Sequence, residues 1–143
     1  IASTTCSDVL KIPSNYYNRL YFDSSDYYSI NDVDIEIKNN NYLFIWNEII
    51  IKFILTPGHS RSSMCISVDN ILFTGDTIMF GYKPLLLKRH NASFEDFKKS
   101  VEQLFNAFSR DTLVFPGHGS IFKLHEVEDY YISYITNLSV KVH

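Results

Sequence analysis

The sequence predicts a mixed α/β (α+β) layer fold, and three observations carry that prediction. Short apolar runs punctuated by turn residues fill positions 32–75 and read as a meander of strands. An amphipathic helical stretch begins at Ser93, and one more strand and a closing helix follow, so the order is strands, helix, strand, helix. Finally, three apolar runs each end in a glycine followed at once by a histidine or an aspartate.

The chain has 143 residues and 45% hydrophobic content, enough to bury one core, which suggests a single domain over 1–143. A formal net charge of -3 offers no clustered cation for phosphate neutralisation, so neither nucleic acid nor an anionic membrane is an expected partner. The longest apolar runs, such as Glu48 to Leu55 with Lys52 inside it, are too short to span a bilayer. The opening IASTTCSD lacks the basic and apolar regions of a signal peptide, and a free thiol pair fits a reducing cytosol, so a cytoplasmic location is expected. The first residue is Ile1 rather than Met, which suggests upstream sequence that was removed, cleaved or never included. Cys6 and Cys65 lack CxxC spacing, and Cys65 sits between Met64 and Ile66 as a small buried hydrophobe would.

Taken in order, residues 1–4 suit the end of a strand. The stretch from Ser7 to Ile30 has little period, with Pro13 as a helix stop and Ser14 placed to cap a short helix over Asn15 to Phe22. Its aromatics (Tyr16, Tyr17, Tyr21, Phe22, Tyr27, Tyr28) suit core packing better than a substrate mouth. Asp32 to Ile37 alternates, as a half-wet strand does. Strands over Tyr42–Trp46 and Ile49–Leu55 are joined by a turn at Asn47 and Glu48, and Asn39 to Asn41 form the turn before them. Asp69 and Asn70 connect Met64–Val68 to Ile71–Phe73 as a hairpin. Ser93 followed by Asp96 resembles a capping box, and Phe94, Phe97, Val101, Leu104, Phe105 and Phe108 then recur at helical spacing opposite Lys98, Lys99 and Glu102. Thr112 to Phe115 reads as a strand, and Leu124 to Leu138 as the closing helix, with His125 at its surface.

The three strand ends are Thr56-Pro57-Gly58-His59, Thr74-Gly75-Asp76-Thr77 and Phe115-Pro116-Gly117-His118. A metal site needs donors gathered from distant parts of the chain on stiff supports, and neighbouring strand termini provide them. A glycine before the donor allows a sharp turn, and Pro57 and Pro116 stiffen theirs. One Pro-Gly-His alone describes an exposed turn; three such turns together favour His59, Asp76 and His118 as metal ligands. Imidazole with carboxylate suits zinc, iron or manganese better than calcium or magnesium. Thr77 is placed to orient the Asp76 carboxylate.

These three motifs, in this order, resemble the later motifs of the metallo-β-lactamase superfamily, in the style of short glyoxalase II-like hydrolases. The resemblance runs from about Val33 to the closing helix. It implies an αββα sandwich, here mainly its second half, with two metal ions at one edge. By that pattern His59 would bind the first ion, His118 the second, and Asp76 would bridge them. It further implies hydrolysis of an ester, thioester or related bond of a small-molecule substrate by a metal-bound hydroxide.

The sequence departs from that pattern in one large respect. The superfamily's early His-x-His-x-Asp-His motif has no counterpart among His59, His90, His118, His125 and His143. The expectation is therefore the C-terminal portion of such a fold, with a site that this chain alone cannot complete. A missing N-terminal half, a partner chain or a homodimer would supply the remainder. The alternative is a degenerate, non-catalytic scaffold or interaction module. Ser62 stands where relatives often carry glycine, leaving Arg61 near the site mouth, and the helical glutathione-holding domain of full glyoxalase II is absent. Lys83, Lys88, Arg89 and His90 fall in the loop that would rim the site. Ser60 and Ser120 lie in no Gly-x-Ser-x-Gly elbow, which argues against a serine hydrolase.

Overall fold

A computed structural model describes residues 1–11, 32–87 and 91–139, with Leu138 and Ser139 described by backbone alone. The expected helix over Asn15 to Phe22, its neighbouring aromatics, and Lys88, Arg89, His90 and His143 lie outside the described residues. Contacts group the chain into two compact units, Ile1–Asn39 and Asn40–His143.

In the first unit, β1 (Ala2–Ser3) pairs in parallel with β2 (Glu36–Ile37). Between them in sequence comes α1 (Thr4–Leu10), capped by the Ser3 side chain, which accepts from the Cys6 amide at 3.2 Å. The strand expected over Asp32 to Ile37 is cut to its last two residues, because Asp34 and Ile35 bend before pairing begins.

The second unit is built on a six-stranded sheet of β3 (Tyr42–Trp46), β4 (Ile49–Leu55), β5 (Met64–Val68), β6 (Ile71–Gly75), β7 (Leu113–Pro116) and β8 (Phe122–Lys123), ordered as in the sequence. Asn47 and Glu48 both have positive φ, 46° and 70°, the paired left-handed geometry that closes a two-residue hairpin. At the next hairpin only Asp69 is left-handed, with φ 51°. Every pairing is antiparallel except β6 with β7. Two successive reversals, at β5 and at β6, leave β4, β6 and β7 running the same way, so their carboxyl ends share one edge of the sheet.

Two helices pack on one face: α2 (Phe94–Ala107) and α3 (His125–Ser139). The Ser93 hydroxyl caps α2 by accepting from the Asp96 amide at 3.2 Å. Inward-facing Ile54, Cys65, Leu72, Val114 and Phe122 meet Phe97, Val101 and Leu104 of α2 and Val127, Tyr131 and Ile135 of α3. Burial of each large apolar chain is worth about 1.5–3 kcal/mol. The opposite face is apolar as well; one row runs Tyr42, Phe53, Ile66, Phe73, Phe115 across five strands. Among the described residues no helix is long and apolar enough to cross a membrane.

Candidate metal centre

The shared edge brings the three singled-out residues together. His59 follows β4, Asp76 follows β6 and His118 follows β7. Asp76 lies between the histidines: its Oδ2 is 3.5 Å from His59 Nε2, and its Oδ1 is 3.7 Å from His118 Nε2. The side chains of His59, Asp76 and His118 are 15%, 29% and 70% exposed, so the arrangement opens to solvent on the His118 side.

Each donor is held from behind. His59 Nδ1 is 2.7 Å from the Leu85 carbonyl oxygen. A carbonyl only accepts, so Nδ1 carries a proton, which leaves Nε2, the nitrogen facing Asp76, as the ring atom that could bind a metal. The turn bearing His59 is closed by bonds from Thr56 N to Ser63 O and from Gly58 N to Ser60 O, both 3.0 Å. The Ser60 hydroxyl joins those of Ser62 and Ser63, which fills the position where glycine was expected with a self-bonded serine turn. From α2, Ser100 Oγ donates to Pro57 O at 2.7 Å, and Phe97 packs so closely on Gly58 that a Cβ there would lie 2.5 Å from its Cα.

Asp76 sits just past a break in the β6–β7 register, after Gly75 at φ 51°. Gly117 N donates to Gly75 O at 2.8 Å, which fixes the His118 turn against the Asp76 turn. Thr74 Oγ1 donates to Ile78 O at 2.8 Å, and the Thr77 amide donates to Thr74 O at 3.1 Å. Tyr131, on α3, clamps both polar groups of Met79: its hydroxyl accepts from the amide at 2.9 Å and donates to the carbonyl at 3.3 Å.

The placement of Thr77 differs from the sequence expectation. Its hydroxyl is 3.4 Å from Thr56 Oγ1, which in turn is 3.3 Å from Cys65 Sγ. Thr77 is almost wholly buried in this polar string, so its side chain ties two strand ends together beneath the site. Cys65 is buried as expected, but it is also a hydrogen-bonding member of the string. Burial pushes its thiol up to about 11. His125 is a surface residue whose Nδ1 lies 3.0 Å from Arg110 O. Arg61 is exposed.

The donor set suits a cation. Separations of 3.5 and 3.7 Å exceed a direct hydrogen bond. They are close to the spacing of two ligands on one zinc, roughly 3.4 Å for bonds of about 2.1 Å at tetrahedral angles. Among the described residues no group of three His, Cys, Asp or Glu side chains could hold a single ion. The two histidines face different oxygens of the one carboxylate.

Comparison with known proteins agrees with this fold. A Bacillus velezensis protein named as the probable polyketide biosynthesis zinc-dependent hydrolase BaeB is 30% identical over 105 residues, covering 72% of this chain and 46% of its own. The chain thus spans less than half the length of this curated relative. The B3 metallo-β-lactamase BLEG-1 superposes with a TM-score of 0.69 at 18% identity, over 90% of this chain and 61% of that one. An archaeal metallo-β-lactamase superfamily protein from Sulfolobus tokodaii gives a TM-score of 0.53 at 20% identity, over 73% of this chain and 42% of that one. No family model matches the chain. These likenesses show that the chain has a metallo-β-lactamase-like fold.

Proposed function

We propose that this chain contributes one side of a two-metal hydrolytic centre, with His59 a ligand to one ion, His118 a ligand to the other, and Asp76 bridging them. The observation that carries the reading is a single carboxylate presenting one oxygen to each imidazole. Zinc is the first candidate, in keeping with the chemistry named for the Bacillus relative, and iron or manganese would accept the same donors. Bound ions would supply Lewis acidity, activating a water and stabilising charge that develops on a carbonyl oxygen. The chain's own part is to hold the donors. Leu85 O fixes the His59 tautomer, and the Gly117–Gly75 bond sets Asp76 beside His118.

The bond cleaved would be an ester, thioester or related bond of a small molecule. Two donors per ion fall short of the three that catalytic zinc usually has. The remaining ligands would come from a further segment or a partner chain that provides the early histidine motif this sequence lacks, or from other side chains of a second copy. Zinc affinity, measured by competition with a chromophoric chelator, tests the ligand assignment. Asp76→Ala should weaken binding most, because it removes a donor from both ions, whereas His59→Ala and His118→Ala should each remove one. Binding that is absent, or unchanged in Asp76→Ala, would overturn the assignment and leave a non-catalytic scaffold of the same fold.

A further inference from the structure

Among the described residues β3 pairs with β4 alone, so it forms one edge of the six-stranded sheet, and β8 forms the other. The two edges are unlike. β8 is two residues long and its Lys123 is tied to Asp111 at 3.2 Å; a short strand carrying a lysine is a blunted edge. β3 is the five residues Tyr42-Leu43-Phe44-Ile45-Trp46, with neither a charge nor a proline. Leu43, Ile45 and Trp46 are 56%, 68% and 59% exposed, and Ile49 and Ile50 across the hairpin are 43% and 52% exposed. An apolar edge of this kind is a template for pairing with another strand.

The direction of its backbone groups follows from the hairpin. A two-residue loop makes Trp46 and Ile49 a hydrogen-bonded pair, and alternation then makes Phe44 with Ile51 and Tyr42 with Phe53 the next ones. The N–H and C=O groups of Leu43 and Ile45 therefore point away from β4, where they have no strand partner among the described residues. By residue class the strand reads the same in both directions from Phe44. Aromatic and aliphatic residues alternate on either side of it, and left-handed asparagines, Asn41 at φ 62° and Asn47 at φ 46°, flank both ends. Leu43 and Ile45 stand on the helix-bearing face of the sheet, and Tyr42, Phe44 and Trp46 on the other.

We propose that β3 is a self-pairing edge, through which two copies of this chain join antiparallel about Phe44 into one continuous sheet with a two-fold axis. In that register Leu43 exchanges both backbone bonds with the partner's Ile45, and Ile45 does so with the partner's Leu43. Phe44 faces the partner's Phe44, and Tyr42 faces the partner's Trp46. Aliphatic thus meets aliphatic on one face and aromatic meets aromatic on the other. A register shifted by two residues would shorten the overlap, and one shifted by a single residue would mix the faces. A strand of a foreign chain could use the same backbone groups, but the symmetry about Phe44 matches a second copy. Charge agrees: the chain carries a net -3, yet β3 is uncharged, and Glu48 falls opposite the partner's Asn40 rather than an acid. The blunted β8 edge stops the assembly at two copies. This pairing is independent of the hydrolase reading.

Sedimentation equilibrium of the chain should show its mass doubling as concentration rises from about 1 to about 100 μM, the range suited to an interface below standard size. Ile45→Lys, at an exposed position, should keep the fold by circular dichroism and stay monomeric throughout. Phe44→Cys in a Cys6→Ser background reads the register, because the two-fold brings the substituted Cα atoms to about 4.5 Å, within disulfide range. Oxidised glutathione, itself reduced in the exchange, should convert most of that variant to a disulfide-linked dimer. Leu43→Cys in the same background should not cross-link, since its two copies are offset along the strands. A monomer at every concentration would overturn the proposal and leave the edge to a strand of another chain. A dimer that survives Ile45→Lys, or cross-linking of Leu43→Cys equal to that of Phe44→Cys, would overturn it as well. Asp76→Ala should dimerise as the parent chain does, so a failure of zinc binding and a failure of this edge are read separately.

Discussion

Replacing Gly117 by alanine tests the centre through space rather than through chemistry, because no donor is removed. An ideal Cβ at Gly117 would overlap Asp76 Oδ1 and would lie 3.1 Å from the Gly75 carbonyl carbon and 3.3 Å from its Cα. Gly117 does not have the left-handed φ that would itself penalise a side chain. The backbone has little room to retreat, since Gly117 N is bonded to Gly75 O at 2.8 Å. The partly exposed carboxylate can rotate away, and it is the group that should yield. Rotation takes Oδ1 from His118 and, because the carboxylate is rigid, draws Oδ2 from His59. Displacing a ligand's orientation typically lowers metal affinity about 10–100-fold, while one extra methyl in a tight site costs about 1–3 kcal/mol of stability. Chelator competition and urea unfolding on the same preparation separate the two effects. The reasoning is refuted if Gly117→Ala is folded and binds zinc as tightly as the parent chain.

Two further predictions concern the scaffold behind the site. Tyr131→Phe strips both partners from the Met79 peptide, a loss of about 1–3 kcal/mol if its buried groups stay unpaired. It should also flatten the alkaline limb of stability. Burial foremost pushes the Tyr131 phenol from 10.0 up to about 12, so its folded pKa is above its unfolded one. The corresponding stabilisation, up to roughly 3 kcal/mol, is complete below pH 10 and disappears as pH approaches 12. Urea midpoints at pH 8, 10 and 11 that fall in parallel for the two proteins would contradict this. Cys65, fully buried and with its thiol held up at about 11, should resist a thiol reagent until the chain unfolds, while half-buried Cys6 reacts first. Equal reactivity of the two thiols in the native chain would show that the Thr56–Cys65–Thr77 string is open.

Hydrophobic period and turn chemistry made most of the second unit legible in the sequence. The strands from Tyr42 to Phe73, the Asn47–Glu48 and Asp69 turns and the Ser93-capped helix all rest on neighbours in sequence, and local signals suffice for such elements. α1 was missed because five of its seven residues are Thr, Cys, Ser or Asp and it shows no clear period, and β8 because two residues, Phe122 and Lys123, cannot show one. The Asp32 to Ile37 alternation overstated its strand, since alternation reports a preference and only pairing with Ala2 and Ser3 makes it a strand. Around the centre, side chains were legible and backbone was not. Leu85 holds His59 through its carbonyl, a group every residue has, so no residue type could signal it. Thr77 was assigned to its sequence neighbour Asp76, yet its hydroxyl turns to Thr56, twenty-one positions away along the chain.

The repeated glycine before each proposed ligand shows how one sequence pattern can answer three separate physical demands. At Gly58, φ 153° and contact with the Phe97 backbone both exclude a side chain, so this glycine docks the His59 turn on α2. At Gly75 the surrounding space is open, and the demand comes from φ 51° alone, which turns the chain from β6 toward Asp76. At Gly117 the backbone makes no such demand, and the missing Cβ is space taken by the Asp76 carboxylate itself. The first glycine thus serves packing and the second chain direction. Only the third touches a proposed ligand, and it is a residue of the His118 turn that limits the orientation of Asp76. The carboxylate is therefore held between the two histidine turns by shape, which is the constraint a group proposed to bridge two ions requires.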